Sequence, residues 1–205
     1  MTPALYPTLE ALEDGIQEMG RLSPEYWAKQ MHKVPSVPSV ERVPWLCARL
    51  TGRTILHIGC VGPLHEALLK TCKRAYGIDQ EAARYPDYSR LDVEKMGCPL
   101  PQCDGVEVVL LGEVLEHLVN PGALLQKVRE GYAGCEVICS VPNAFSRAGM
   151  RWMERGFENI NADHVAWYSY WPLKRLLEKC GYIPGEFFWY SGPPLFAEGL
   201  IMTAR

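Results

Sequence analysis

The chain has 205 residues, 48% hydrophobic and 22% charged, with 16 Pro and 18 Gly, the composition of one globular domain with a sizeable core and room for a small appendage. Its 24 acids against 21 bases leave a formal charge of −3 with no long basic run, which argues against a general electrostatic grip on nucleic acid. No apolar stretch approaches the ~20 residues of a membrane span, and acids stand near the N-terminus where a secretory leader is basic and then apolar, so a cytoplasmic location is expected.

Leu5, Leu9, Leu12, Ile16 and Met19 recur at helical spacing, with Thr8 placed to cap and Gly20 to stop the helix. Ser23-Pro24-Glu25 opens a second, shorter helix carrying Tyr26, Trp27 and Met31. Prolines at 35 and 38 make residues 34–39 an extended linker. Residues 1–38 are therefore read as a helical arm and 39–205 as the main domain. The arm suits a cover over a ligand, a homodimer contact, or plain packing on the domain.

From Ser39 to Leu50 one helical stripe holds Val43, Leu46, Cys47 and Leu50, and Gly52 ends it. Thr54 to Gly59 is the β-branched, apolar run expected of a buried parallel strand. A tight turn, Gly59-Cys60-Val61-Gly62, leads into Pro63 and a helix with Leu64, Ala67, Leu68 and Cys72 inward. Arg74 to Asp79 is a second strand ending on an acid. Such a unit suits a nucleoside: the turn brings bare backbone and a helix N-terminus to the ligand, and the carboxylate accepts from ribose hydroxyls. Pyrophosphate cofactors favour a G-x-G-x-x-G turn; this one reads G-x-x-G-P, so a dinucleotide is discounted.

Further strands are expected at 89–93, 106–111 and 136–141, with a helix from Pro121 to Tyr132 between the last two. Residues 143–170, rich in Trp, Met, Arg and Asn, break the alternation and are read as a lid insertion over the carboxyl ends of the strands. Its Phe145, Arg147, Arg151, Trp152, Arg155, Trp167 and Tyr168 suit a polar, ring-shaped acceptor, or the core of a small lid. Leu173, Leu176, Leu177 and Cys180 mark a helix stopped by Gly181, and strands at 186–190 and 199–204 close the chain as an antiparallel pair. The fold expected is α/β, a Rossmann-like, seven-stranded, mostly parallel sheet with an antiparallel last strand. The eight cysteines lack paired C-x-x-C spacing and are read as reduced, structural thiols.

Over roughly residues 40–205 these motifs resemble the class I S-adenosylmethionine-dependent methyltransferases. His-Ile-Gly-Cys-Val-Gly at 57–62 stands where that family has its glycine-rich first motif, and Asp79 where it has its ribose-binding acid. Asp92 and Val93 resemble the adenine-holding pair, and Gly112-Glu113 opens the motif after the fourth strand. The order of motifs, with Asn143 after strand five and Asp163-His164 before the next helix, is most similar to methyltransferases of polysaccharide and sugar gene clusters. The resemblance implies S-adenosyl-L-methionine as cofactor, bound by His57, Gly59, Cys60, Gly62, Asp79, Asp92, Val93, Gly112 and Glu113. His57 replaces an acid that usually helps hold the methionine ammonium, and Val61 and Pro63 replace glycines. This substitution implies either a weaker hold on the methionine end or a takeover of that role by Glu113.

Glu113, Glu116 and His117 stand at i, i+3 and i+4, on one side of a helix that starts where the strand ends. With His164 they make a four-residue set suited to Mg²⁺ or Mn²⁺. The pattern is similar to metal-dependent 2′-O-methyltransferases of small-RNA 3′ ends, where such residues hold a divalent ion against a ribose diol. Two further readings stand beside it: His117 or His164 as a general base, assisted by Glu113, and an ordinary helix start. The leading expectation is methyl transfer to a hydroxyl of a sugar or other small polar molecule, without nucleic acid or membrane. The alternatives are a 2′-O-methyltransferase on RNA and an inactive methyltransferase-like subunit.

Overall fold

In a computed structural model, residues 29, 32–95 and 98–205 are described, and backbone contacts divide the chain into two compact units, Met1–Pro35 and Ser36–Arg205. The helices expected of the arm lie outside the described residues, Lys29 apart. Residues 32–38 have no regular secondary structure, consistent with prolines biasing their predecessors away from helix.

The second unit begins with a short strand, β1 (Ser39–Val40), and a helix, α1 (Arg42–Leu50). β2 (Thr54–Ile58), α2 (Pro63–Thr71) and β3 (Arg74–Asp79) then form the βαβ unit read from the sequence, and β4 (Tyr88–Arg90) follows. β5 (Val108–Gly112) leads into a 3₁₀ turn at Leu115–His117, and α3 (Pro121–Gly131) leads to β6 (Glu136–Pro142). α4 (Arg147–Met153), α5 (Tyr170–Lys179), β7 (Pro184–Tyr190) and β8 (Gly199–Ala204) complete the chain.

The sheet has eight strands in the order β1-β7-β8-β6-β5-β2-β3-β4, with β8 antiparallel to both β6 and β7 and every other pair parallel. The count of seven is corrected by β1. Ser39 and Val40 pair with Trp189 and Tyr190 rather than joining the helical stripe. Two residues carry no period to read, and the partner lies near the other end of the sequence. β4 is also shorter than expected. Glu94 N donates to Asp92 Oδ1 at 3.0 Å, an Asx turn that takes the backbone out of strand geometry.

Every residue of β2 and of β5 is buried, as continuous apolar runs in a parallel sheet require. Leu46 and Leu50 of α1 and Leu64 and Leu68 of α2 pack with Ile55, Val108, Leu110, Ile138 and Ile201 in one cluster on the sheet. α3 and α5 bury Leu124, Leu125, Val128, Leu173 and Leu177 outside that cluster. The chain leaves β2 toward β3 and β4, then returns to β2's other side with β5 and β6. That reversal opens a crevice beyond the carboxyl ends of β2 and β5, the usual ligand position in such sheets.

Candidate active site

The glycine turn sits at this crevice. Gly59 has φ +75°, and a β-carbon there would fall 2.3 Å from Val114 Cγ2; only glycine combines that dihedral with that approach. Gly59 N and Cys60 N both donate to Ile78 O, at 2.8 and 3.2 Å, which ties the turn to β3. Asp79, at the end of β3, accepts from Val61 N at 2.9 Å and Glu81 N at 3.0 Å, one bond on each oxygen. Each oxygen keeps a lone pair for a further donor. Asp79, Asp92, Val93 and Glu94 line a cavity of about 320 Å³ that also touches Gly59 and His117. These residues fit a nucleoside: bare backbone on one wall and a carboxylate pair of acceptors on another.

A larger adjoining cavity, about 610 Å³, is lined by Arg42, His57, Gly112, Glu113, Glu116, His117 and His164 among others. Gly59, Val61, Glu113, His117 and Asn161 belong to both walls. Glu113 does not start a helix. It has φ +60°, an uncommon conformation for a residue with a β-carbon. Its carboxylate accepts from Tyr190 OH at 2.6 Å and forms a very short ion pair with Arg42. The chain turns here, and Glu113 lines the same cavity as Glu116 and His117 from a turn, not from a helix face, with its carboxylate engaged by Arg42 and Tyr190.

Glu116, His117 and His164 do converge: one ligand atom from each lies within 4.8 Å of the others. The rings of His117 and His164 meet edge to face at 4.6 Å. Glu116 is 1% exposed, and neither of its carboxylate oxygens has a hydrogen-bond partner. Burial pushes its acid up to about 8, so it is largely protonated at neutral pH. Its own backbone carbonyl accepts from Val165 N at 2.8 Å and Ala166 N at 3.2 Å, which is how residues after His164 are moored over the site. Burial chiefly, with His117 adding, lowers His164 below the ordinary imidazole value. An unpartnered carboxyl beside two imidazoles fits a divalent cation once its proton is released, and a neutral His164 equally fits a proton acceptor.

Two other candidates on the wall of the larger cavity are buried: His57 and Cys60 are each 1% exposed, and burial pushes the Cys60 thiol up to about 12, so it is a neutral thiol. Tyr168 belongs to the core at 6% exposure, its hydroxyl donating to Leu115 O at 3.4 Å. Phe145, Trp152 and Trp167 are exposed but line neither cavity. Conversely, Arg42, His65, Asn161 and Tyr190 were not singled out by the sequence reading. Arg42 and Tyr190 reach the site through the β1–β7 pairing, for which no local pattern exists.

No protein-family model and no curated protein matches the sequence. Among solved structures, small RNA methyltransferase HEN1 superposes at TM-score 0.63 and 14% identity over 85% of this chain, which spans 27% of HEN1's length. The methyltransferase domain of a bacterial Hen1 (CtHen1) superposes at 0.58 and 16% identity, covering 80% of this chain and 97% of that one. Magnesium protoporphyrin IX methyltransferase (ChlM) from Synechocystis PCC 6803, with bound SAH, gives 0.54 and 18% identity over 80% of this chain and 78% of its own. The reversal beside the glycine turn and the acid closing the next strand are thus set in the fold of the class I S-adenosylmethionine-dependent methyltransferases.

Proposed function

We propose that this protein is a methyltransferase that moves the methyl of S-adenosylmethionine to a hydroxyl of a sugar or another small polar molecule. The observation carrying this reading is the shared wall between the two cavities. One cavity offers Asp79 to a ribose; the other gathers Glu116, His117 and His164. When bound, the cofactor supplies an electrophilic methyl group; the chain's own part is to position the acceptor and take its proton. His164, uncharged at neutral pH, is the proton acceptor, and Glu113, held by Arg42 and Tyr190, fixes the wall between the cavities. The likeness to methyltransferases of sugar gene clusters, read from motif order, supports a sugar acceptor.

A second reading is favoured by the convergence of Glu116, His117 and His164. A divalent ion held there would acidify a neighbouring hydroxyl, which suits a ribose diol at an RNA end. The likeness to HEN1 supports this reading, while the net charge of −3 opposes it.

Calorimetric titration with S-adenosylhomocysteine tests the cofactor. Wild type should bind with micromolar affinity and Asp79→Ala should lose at least about tenfold, the worth of a charged hydrogen bond. Absence of binding by folded wild type would favour an inactive, methyltransferase-like subunit. Methyl transfer to free sugars or to RNA oligonucleotides, with and without a chelator, then separates the two acceptors.

A further inference from the structure

Behind the glycine turn two histidines are shut into the core. His57 and His65 are 1% and 0% exposed, their Nδ1 atoms are 3.2 Å apart, and the Nε2 of each has no hydrogen-bond partner in the protein. Burial chiefly lowers both below the ordinary imidazole value, for His57 well below, so each ring is neutral. His57 belongs to the wall of the larger cavity. A β-carbon on Gly112 would come within 3.0 Å of His57 Nε2 and 3.4 Å of Arg42 Nη2. The glycine therefore leaves room beside a buried imidazole nitrogen and a guanidinium nitrogen that both border its position at the cavity wall. Arg42 Nε is also buried and unpartnered.

Two neutral imidazoles joined through their Nδ1 atoms share one proton, which admits two arrangements. If His65 donates, His57 carries its own proton on Nε2, and two donors converge above Gly112. If His57 donates, its Nε2 is a bare lone pair next to a cation, which is electrostatically favourable. His65 then bears a proton on Nε2, close to Cys60 Sγ: a β-carbon on Gly77 would lie 3.1 Å from the first and 2.7 Å from the second.

We propose that His65 is a positioning residue that holds His57 in the Nδ1–H form, so that His57 Nε2 and Arg42 read the zwitterionic amino-acid end of the cofactor. The ammonium donates to His57 Nε2, and the carboxylate accepts from Arg42, whose other nitrogen stays on Glu113. A neutral acceptor beside a cation thus does what a single acid does elsewhere. This rests on the cofactor proposed above.

The test uses the full chain labelled with ¹⁵N-histidine, in which long-range proton–nitrogen spectra tell bare from protonated ring nitrogens. His57 should show a bare Nε2, with and without S-adenosylhomocysteine; a protonated Nε2 overturns the proposal. Calorimetry then compares S-adenosylhomocysteine with 5′-methylthioadenosine, which lacks the amino-acid end. Wild type should prefer the former by at least about tenfold, and His65→Leu should weaken it by about tenfold to a hundredfold while leaving methylthioadenosine unchanged. His65→Asn, whose amide oxygen can accept from His57 Nδ1–H, should keep the preference. If His65→Leu does not fold, the wild-type spectrum and His65→Asn still decide. Equal loss for both ligands in His65→Leu, or none, overturns the role of His65. Methylthioadenosine binding without a preference in wild type overturns this proposal alone; failure of both ligands overturns it together with the cofactor.

Discussion

Glu116 shows how burial changes what a residue is. With both oxygens unpartnered and its acid pushed up to about 8 by burial, it carries a proton in the folded protein at neutral pH. In the unfolded chain it titrates near 4.3. Between those values the folded state binds a proton that the unfolded state has released, so its contribution to stability falls as pH rises, by at most about 1.4 kcal/mol per pH unit. Glu116→Gln keeps the shape and removes the titration. In chelator, its melting temperature should exceed that of wild type by a margin that widens from about pH 5 to about pH 8. Mn²⁺ at about pH 8 should raise the wild-type melting temperature and leave Glu116→Gln unmoved. A Mn²⁺ effect in both proteins, or in neither, rules the cluster out as a metal site. The sequence reading placed the nearby Glu113 at the site without its partners Arg42 and Tyr190, which stand 71 and 77 positions away.

Among the elements, the turn after β2 is the most constrained. Gly59→Ala adds a β-carbon 2.3 Å from Val114 Cγ2 at φ +75°, whereas Gly52→Ala meets nothing within 4 Å at φ +72°. The first should cost more than the second, about 1–3 kcal/mol beyond it, read as a further drop of several degrees in melting temperature. It should also weaken S-adenosylhomocysteine, which the Gly52 variant should not. Equal melting temperatures for the two variants would show that Val114 yields freely. The turn was legible because glycine positions, a following proline and a buried strand are local signals. The segment after β5 was not: spacing alone placed Glu113, Glu116 and His117 on one helix face. The backbone instead turns at Glu113 and forms a 3₁₀ turn at Leu115–His117, so the three line one cavity without sharing a helix face.

For the whole molecule, the unit Ser36–Arg205 contains the eight-stranded sheet and, among the described residues, all those lining the two cavities. A chain lacking residues 1–35 should therefore fold, with a melting temperature within a few degrees of the full chain and unchanged affinity for S-adenosylhomocysteine. Analytical ultracentrifugation of the two chains tests the proposed homodimer role of the arm; a dimer in both, or in neither, removes it. No helix among the described residues is long and apolar enough to cross a membrane. The sequence by itself determined the α/β class, the βαβ unit around the glycine turn, and Asp79 as the acid closing the next strand. Each of these is written in hydrophobic period, turn chemistry or short spacing, which act within a few residues. Only the tertiary structure decided that β1 pairs with β7 and so delivers Arg42 beside Tyr190, and that His65 backs His57. Those contacts join residues distant in sequence or carried on different elements, and it is the packing of the sheet and its helices that brings them together.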